Sequence, residues 1–459
     1  MPILNITCKT PHIGKFTPLM LSCGSDTNHT WPLSLTMVVS LVFAPVANAG
    51  WLDRLFHTDS CSESQQTTSD NFSICAKSVG EFTEKSEMGY PNYLEPLLEP
   101  SSGMTLTRVT DNTDSNNEDN PLLNHHYSKR QAWNFNETLV DLGGRILSAE
   151  TYQPVLSYEP MSSARNWSNL HSEKLIGIRF NPDPNTLAIF DLRTEEYEEI
   201  ARFDGYTNCS FGKGEGNLTN DDSRVLISCS NIHSGDTELI AYDLNERRIL
   251  GQLVASENFN WASFSQSGKY ILVENNTHPD PNPELLRYSH TLDNPIFLSP
   301  NPAHGDLALD TAGDDIYVMI YSNSVQTIRL RDRYKTDIPI GGFKSGALGS
   351  GHISCRALDR TGWCYISTYT SQRLGAVQLP VGVDDNNALN ELYPIGQLTS
   401  LKASAYEHWG YHRSTVNSYS ALAKASVSRS GRKIMFTSDW YGKHKTNDFV
   451  LEIPQERLP

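Results

Sequence analysis

From Thr105 onward, apolar and polar positions alternate in short runs separated by turn-forming residues, and hardly any stretch holds a helical period for three turns. One unit recurs: a small or apolar strand, a turn rich in Asp, Asn, Ser or Gly, then a strongly β-forming strand. It is found at AWNFNETLVDL, SNLHSEKLIGI, NLTNDDSRVLIS, SFSQSGKYILVE, ALDTAGDDIYVMI, RALDRTGWCYIS and SVSRSGRKIMFTS, seven times in all. The turns recur every 35 to 50 residues or so, about the length of a four-stranded propeller blade. Third and fourth strands are visible in LAIFDLRTEEYEEIARF and ELIAYDLNERRILGQL. The pattern predicts an all-β, seven-bladed β-propeller. A pair of β-sandwiches competes with it but would not repeat one hairpin signature at this spacing. The strand TLTRVTD, Thr105 to Asp111, stands where it could complete the last blade and close the ring, and the polar run Asn112 to Asn120 reads as a solvated loop.

The N-terminal part has a different pattern. Trp31 to Ala49 is apolar and ends in Ala47-Asn48-Ala49, a small-x-small motif of the kind cleaved after a signal peptide. The run is shorter than the roughly 20 residues a bilayer span needs. The expected organisation is a leader and signal peptide over 1–49, a partly irregular N-terminal extension over 50–104, and a propeller over 105–459. The polar leader before the apolar run suggests a start at Met20. Export to a secreted or periplasmic location follows.

Cleavage after Ala49 leaves six cysteines, at 61, 75, 209, 229, 355 and 364, an even number suited to an oxidising compartment. Cys61 and Cys75 could close a loop in a polar segment. Cys355 and Cys364 flank a tight turn and are expected as cross-strand neighbours, bonded or only buried together.

Charge narrows the class of partner. A net charge of −16 disfavours nucleic acid, and any polyanion would have to meet a local basic patch. No membrane partner is expected, and the chain is expected to be a monomer.

In a propeller the residues just before each inner strand line one mouth of the channel, which turns sequence position into location. The run HHYSKRQAWN, His125 to Asn134, precedes the first inner strand and gathers two imidazoles, a phenol and two cations. By the same rule Tyr206, His304, His352, His408 and His412 fall at the mouth, with His233 and His278 near it and Arg224 along the wall. An imidazole titrates near neutrality and serves as base, acid or metal ligand, so a rim rich in histidine is an active-site candidate.

The stretches YSKRQAWNFNETLVDL, GKGEGNLTNDDSRV, HGDLALDTAGDDIYV, GHISCRALDRTGWCYIS and SVSRSGRKIMFTSDW resemble the propeller ulvan lyases and, more distantly, the oligogalacturonate lyases. The resemblance runs colinearly from Thr105 to Ile453. It implies an endo-acting eliminase on ulvan, a sulfated algal polysaccharide of rhamnose and uronic acid, so the implied partner is an anionic sulfated polysaccharide. Elimination at a uronic acid needs a cation for the carboxylate, a base for the C5 proton and an acid for the leaving oxygen.

Carried over by position, the resemblance implies His126 as base, Tyr206 as acid and Arg224 as the carboxylate-neutralising cation. It places Trp133, Asn134, Arg165, His171, His408 and His412 against substrate. The family pattern also has a second histidine across the scissile bond, whereas Tyr127 to Leu170 contains none, so His125 or His171 would have to substitute. A structural divalent metal is implied too. His233, His278, His304 and His352, from four consecutive blades, are the candidate ligands; imidazole donors suit zinc, with calcium as the alternative.

Two other readings stay open. One is a non-catalytic periplasmic binding propeller, which needs no acid, base and cation at its mouth. The other is an oligogalacturonate lyase, which would need a manganese centre of histidines plus a glutamine.

Overall fold

The computed structural model describes residues 77–78, 90–98, 103–112, 124–180, 183–275, 283–300, 304–321, 324–339, 351–368, 373–379, 391–397, 424–438, 446–455 and 458. The signal-peptide reading, the alternative start, Cys61 and Cys75 lie outside these.

The described residues form an all-β propeller. Five sheets are regular blades, each built from four consecutive antiparallel strands, where seven were expected. They cover residues 165–202, 206–254, 259–299, 306–339 and 351–397, and are called the first to fifth regular blades in that order. Within each, the first strand is innermost. In the second blade, for example, Tyr206–Phe211 pairs with Arg224–Asn231, then come Thr237–Asp243 and the largely exposed outer strand Arg248–Val254.

Two further sheets depart from this plan. In the closing sheet, the Thr105–Arg108 strand pairs antiparallel with Asn447–Glu452, which continues to Lys433–Ser438 and Ser426–Val427. The strand expected to complete the last blade therefore does so. The other sheet is a two-stranded hairpin, Leu139–Leu142 with Arg145–Ser148. Its inner neighbour is reduced to a single bridge, Trp133 to Val140, and its outer one to Leu147 with Pro154. The chain before Trp133 is occupied in crossing the channel, so it cannot run alongside the hairpin as a full strand. The extension also adds strands: Lys77–Ser78 pairs in parallel with Glu391 and Leu392, and Leu97–Leu98 pairs with Leu106 and Thr105.

Each sheet buries one face against the next, because a pleated sheet with apolar residues on both faces needs two neighbours. Ala164, Ile176 and Phe211 join the first and second blades, Leu226 and Phe264 the second and third, Trp261 and Tyr317 the third and fourth. Val318 and Ile353 link the fourth and fifth, Tyr365 and Phe436 the fifth and the closing sheet, and Val450 and Val140 the closing sheet and the hairpin. Ile146 and Trp167 return to the first blade, so the circle of apolar contacts is complete.

The recurring turn motif joins the inner and second strands at the end away from the mouth. In SFSQSGKY the Gly268 N–H donates to Ser265 O at 2.9 Å with φ at +76°, a backbone conformation that glycine adopts without the Cβ penalty. Gly431 in SRSGRK repeats this, with 2.9 Å to Ser428 O and φ +76°.

Two disulfides tie inner to second strands, Cys209–Cys229 in the second blade and Cys355–Cys364 in the fifth. The latter settles the pair expected as neighbours: they are bonded. None of the described helices is long and apolar enough to cross a membrane.

Candidate active site at the channel mouth

Residues 125–131 cross the channel and are pinned from several sheets. The His125 backbone N–H donates to Asp448 of the closing sheet, its Nδ1 lies 2.9 Å from the same carboxylate, and its Nε2 lies 2.9 Å from Lys424 O. The carbonyl of Lys129 accepts from Asn217 at 2.9 Å, and that of Arg130 from Ser426 at 2.6 Å. Gln131 donates to Arg356 O at 2.8 Å. An extended chain alternates its side chains, so the crossing aims His126 and Tyr127 to opposite sides.

Tyr127 points at the fourth and fifth blades. Its hydroxyl lies 2.7 Å from His304 Nδ1 and 2.7 Å from His352 Nε2. The two imidazole rings are 5.2 Å apart between centroids. A phenol both donates and accepts, so a hydroxyl between two imidazoles forms a chain along which a proton can move. Lys129 lies beside this triad, 3% exposed, with its ammonium 4.1 Å from the Trp261 ring, 5.6 Å from the Tyr127 ring and 3.6 Å from the Glu215 carboxylate.

Both imidazoles are held neutral. His304 is open to solvent at the rim, yet the walls of the mouth strip water from around it and the Lys129 cation repels a second charge, which brings its pKa down to about 4. His352 is fully buried and is pushed well below the ordinary imidazole value by burial, then by His304, Lys424 and Lys129. Burial also lowers the Lys424 ammonium.

His126 faces the hairpin side, its Nε2 3.4 Å from Asp141. Burial and the Arg130 cation lower its pKa against the pull of Asp141. Asp141 remains ionised because Arg165 and His126 outweigh its burial.

Several residues expected at the site lie elsewhere or serve the scaffold. Tyr206 stands at the mouth end, but its hydroxyl runs outward across the second blade, donating to Glu238 at 2.7 Å and accepting from Gln252 of the outermost strand at 3.3 Å. Arg224 begins the second strand while Tyr206 pairs with Asn231 at the far end of it. Seven steps at about 3.3 Å each separate the two levels by roughly 23 Å, so they cannot act on one sugar. Arg224 instead donates to Gly268 O at 2.7 Å, beside the turn motif.

Arg165 is 1% exposed and spends its guanidinium on Asp141, Glu159 and the carbonyls of Met161 and Ser162. Trp133 and Asn134 are completely buried; Trp133 packs in the core, and Asn134 binds Ser172 O and the Leu139 N–H. His125 is sequestered by Asp448 and Thr437. His171 is exposed in the turn after the inner strand Arg165–Trp167, at the end opposite the mouth. His278, His408 and His412 lie outside the described residues.

Of the four expected metal ligands, His304 and His352 meet, but the nitrogens that face each other are engaged with Tyr127. His233 sits in an exposed turn of the second blade. Among the described residues no three His, Cys, Asp or Glu side chains gather as a metal would need, so His233, His304 and His352 do not fit the zinc centre.

Sequence reasoning assigned no role to Tyr127, Lys129, Glu215, Trp261 or Lys424. The first two stand inside HHYSKRQAWN, so a signal for them was present in the clustering of a phenol and cations there.

Among solved structures, an oligogalacturonate lyase in complex with manganese superposes with a TM-score of 0.52 at 10% identity, covering 80% of this chain and 98% of that one. The likeness is one of fold. An oligogalacturonate lyase from Vibrio parahaemolyticus gives 0.51 at 10% identity, over 79% of this chain and 97% of that one. No family model and no curated protein matches the sequence. At this identity the superposition supports the propeller architecture.

Proposed function

We propose that the chain is a polysaccharide lyase that cleaves a uronate-containing polymer by β-elimination at the channel mouth. The observation that carries this reading is the Tyr127 hydroxyl shared between His304 and His352 beside a buried lysine. Such a cluster supplies base, acid and cation within reach of one sugar ring, which a purely binding propeller would not need.

In this scheme Lys129 neutralises the substrate carboxylate and makes the C5 proton easier to remove. His304, the imidazole open to solvent, donates its Nδ1–H to the phenol oxygen and takes the C5 proton at Nε2. The C4–O bond breaks as the C4–C5 double bond forms, and Tyr127 gives its proton to the departing oxygen. The imidazolium then returns its Nδ1 proton to the phenolate. His352, fully buried, orients the phenol. His126, beside Asp141 on the other side of the crossing segment, keeps the base role assigned from sequence only if His304 proves dispensable.

Ulvan is the proposed substrate, on the strength of the motif resemblance. Oligogalacturonate is the second reading, favoured by a superposition that spans nearly the whole of both lyase propellers. The manganese in that complex belongs to that protein, and no step here runs through a metal. The acidic chain is proposed to meet its polyanion through Lys129 and Lys424, to act as an exported monomer, and to count seven blades if the hairpin with its flanking bridges is a reduced blade. Two disulfides suit an oxidising compartment.

The test is to incubate the protein with ulvan and with oligogalacturonate and follow the ultraviolet absorbance of the unsaturated uronate. A signal with ulvan supports the first reading and one with oligogalacturonate alone the second. Silence with both, together with tight binding of either, would leave a binding propeller.

A further inference from the structure

The apolar stripe between the second and third regular blades stops short at the mouth. On the Arg224–Asn231 strand, Leu226 packs against the third blade, but the next positions on that face are Ser228 and Ser230. On the neighbouring strand Leu239 and Ala241 pack in the same way, while the mouth-end residue is Thr237, paired with Ser230. Ser210 of the inner strand pairs with Ser228. Hydroxyls in place of branched apolar groups leave the two blades unfilled here, and a cavity of about 510 Å³ opens between them.

That volume lies in the range of about 300 to 1,000 Å³ that holds small ligands. Among the described residues the side chains of Asn208, Ser210, Ser230 and Thr237, all lining it, have no hydrogen-bond partner. They form an array of donors and acceptors held on rigid strands. The charge of the lining excludes an anion: one ammonium, Lys213, stands against two carboxylates, Asp236 and Glu257, and Lys213 is already engaged with Phe259 O at 2.5 Å. Phe259 begins the inner strand that also carries Trp261, which lies beyond a bulge, packs on the fourth-blade face and sits under Lys129.

We propose that this cavity is a binding site for a neutral sugar residue. Sugar binding at this cavity does not rest on the lyase reading. Saturation-transfer NMR on the whole protein with methyl glycosides of galactose, glucose and rhamnose, and with methyl glucuronide as the charged comparison, reads the site without turnover. The neutral glycosides are expected to bind and the glucuronide to bind this cavity more weakly. Ser230→Trp should abolish the neutral signal, Ser230→Ala with Thr237→Ala should weaken it on the order of tenfold, and Tyr127→Phe should leave it in place. The proposal is overturned if no neutral glycoside binds, if binding survives in a Ser230→Trp protein of unchanged circular dichroism, or if the double alanine variant binds as well as the parent. Sugar binding with no lyase activity would remove the lyase reading and leave the binding site standing.

Discussion

The Tyr127 hydroxyl lies 2.7 Å from His352 Nε2, although 225 residues separate the two along the chain. That contact, repeated to His304 of the neighbouring blade, joins the crossing segment to two inner strands at the point where the channel opens.

Replacing Tyr127 by Phe removes the acid and leaves the ring packing intact. Turnover should fall by about 10² to 10⁴ while the melting temperature stays within a few degrees. Absorbance kinetics and thermal unfolding of the same preparation check both halves, and an unchanged rate would eliminate the phenol as the proton donor.

The neutral histidines set a pH dependence whose sign can be worked out. Burial depresses His126 and His352 below the ordinary 6.5, and His304 falls to about 4. The unfolded chain therefore binds more protons than the folded one between these values, so stability is fully present above pH 6.5 and is lost as pH falls toward about 4. Urea midpoints at pH 7 and pH 5 should differ in that direction, and less so in His304→Asn. An NMR titration placing His304 near 6.5 would contradict the electrostatic picture of the mouth.

Asp448 accepts from the His125 backbone and from the Thr437 hydroxyl, with the His125 ring beside it, all buried. Asp448→Ala leaves those partners unsatisfied and should cost about 3 to 5 kcal/mol, measured by denaturant unfolding. His125→Ala should likewise act on stability; a variant that melts normally but has lost turnover would return His125 to the catalytic set.

Tyr206→Phe and Arg224→Ala should each leave kcat/KM within about twofold, since neither side chain reaches the mouth cluster and surface changes of this kind are worth about 0.5 kcal/mol. A loss of a hundredfold in either would show that substrate extends over the second blade to that residue.

Much of the fold was legible because its signals are local. The turn motif SRSGRK carries its own hydrogen bond and its left-handed glycine, and alternation within KIMFTS or RVLIS needs no distant partner to be read. The hairpin blade was misjudged as a full one because AWNFNETLVDL shows the same local pattern, and nothing in it reveals that the preceding residues leave the sheet to span the channel. The mouth rule correctly brought His304 and His352 together, since both stand just before or within the start of an inner strand. It also put Tyr206 at the mouth end but could not place its hydroxyl, because position along a strand says nothing about which way a long side chain turns across the sheet.

The sequence by itself determined the all-β architecture, the blade period, the closing strand at Thr105 and the run HHYSKRQAWN as a place where chemistry-bearing groups crowd. Only the tertiary structure decided which of those groups do what. Asp448 takes His125 out of play, Asp141 binds Arg165 and stands beside His126, and the pair of imidazoles from two neighbouring blades settles on Tyr127. The physical reason is that alternation and turn chemistry are set by neighbours a few residues away. Burial, charge pairing and proton affinity depend instead on what the closed ring brings against a side chain from hundreds of residues off.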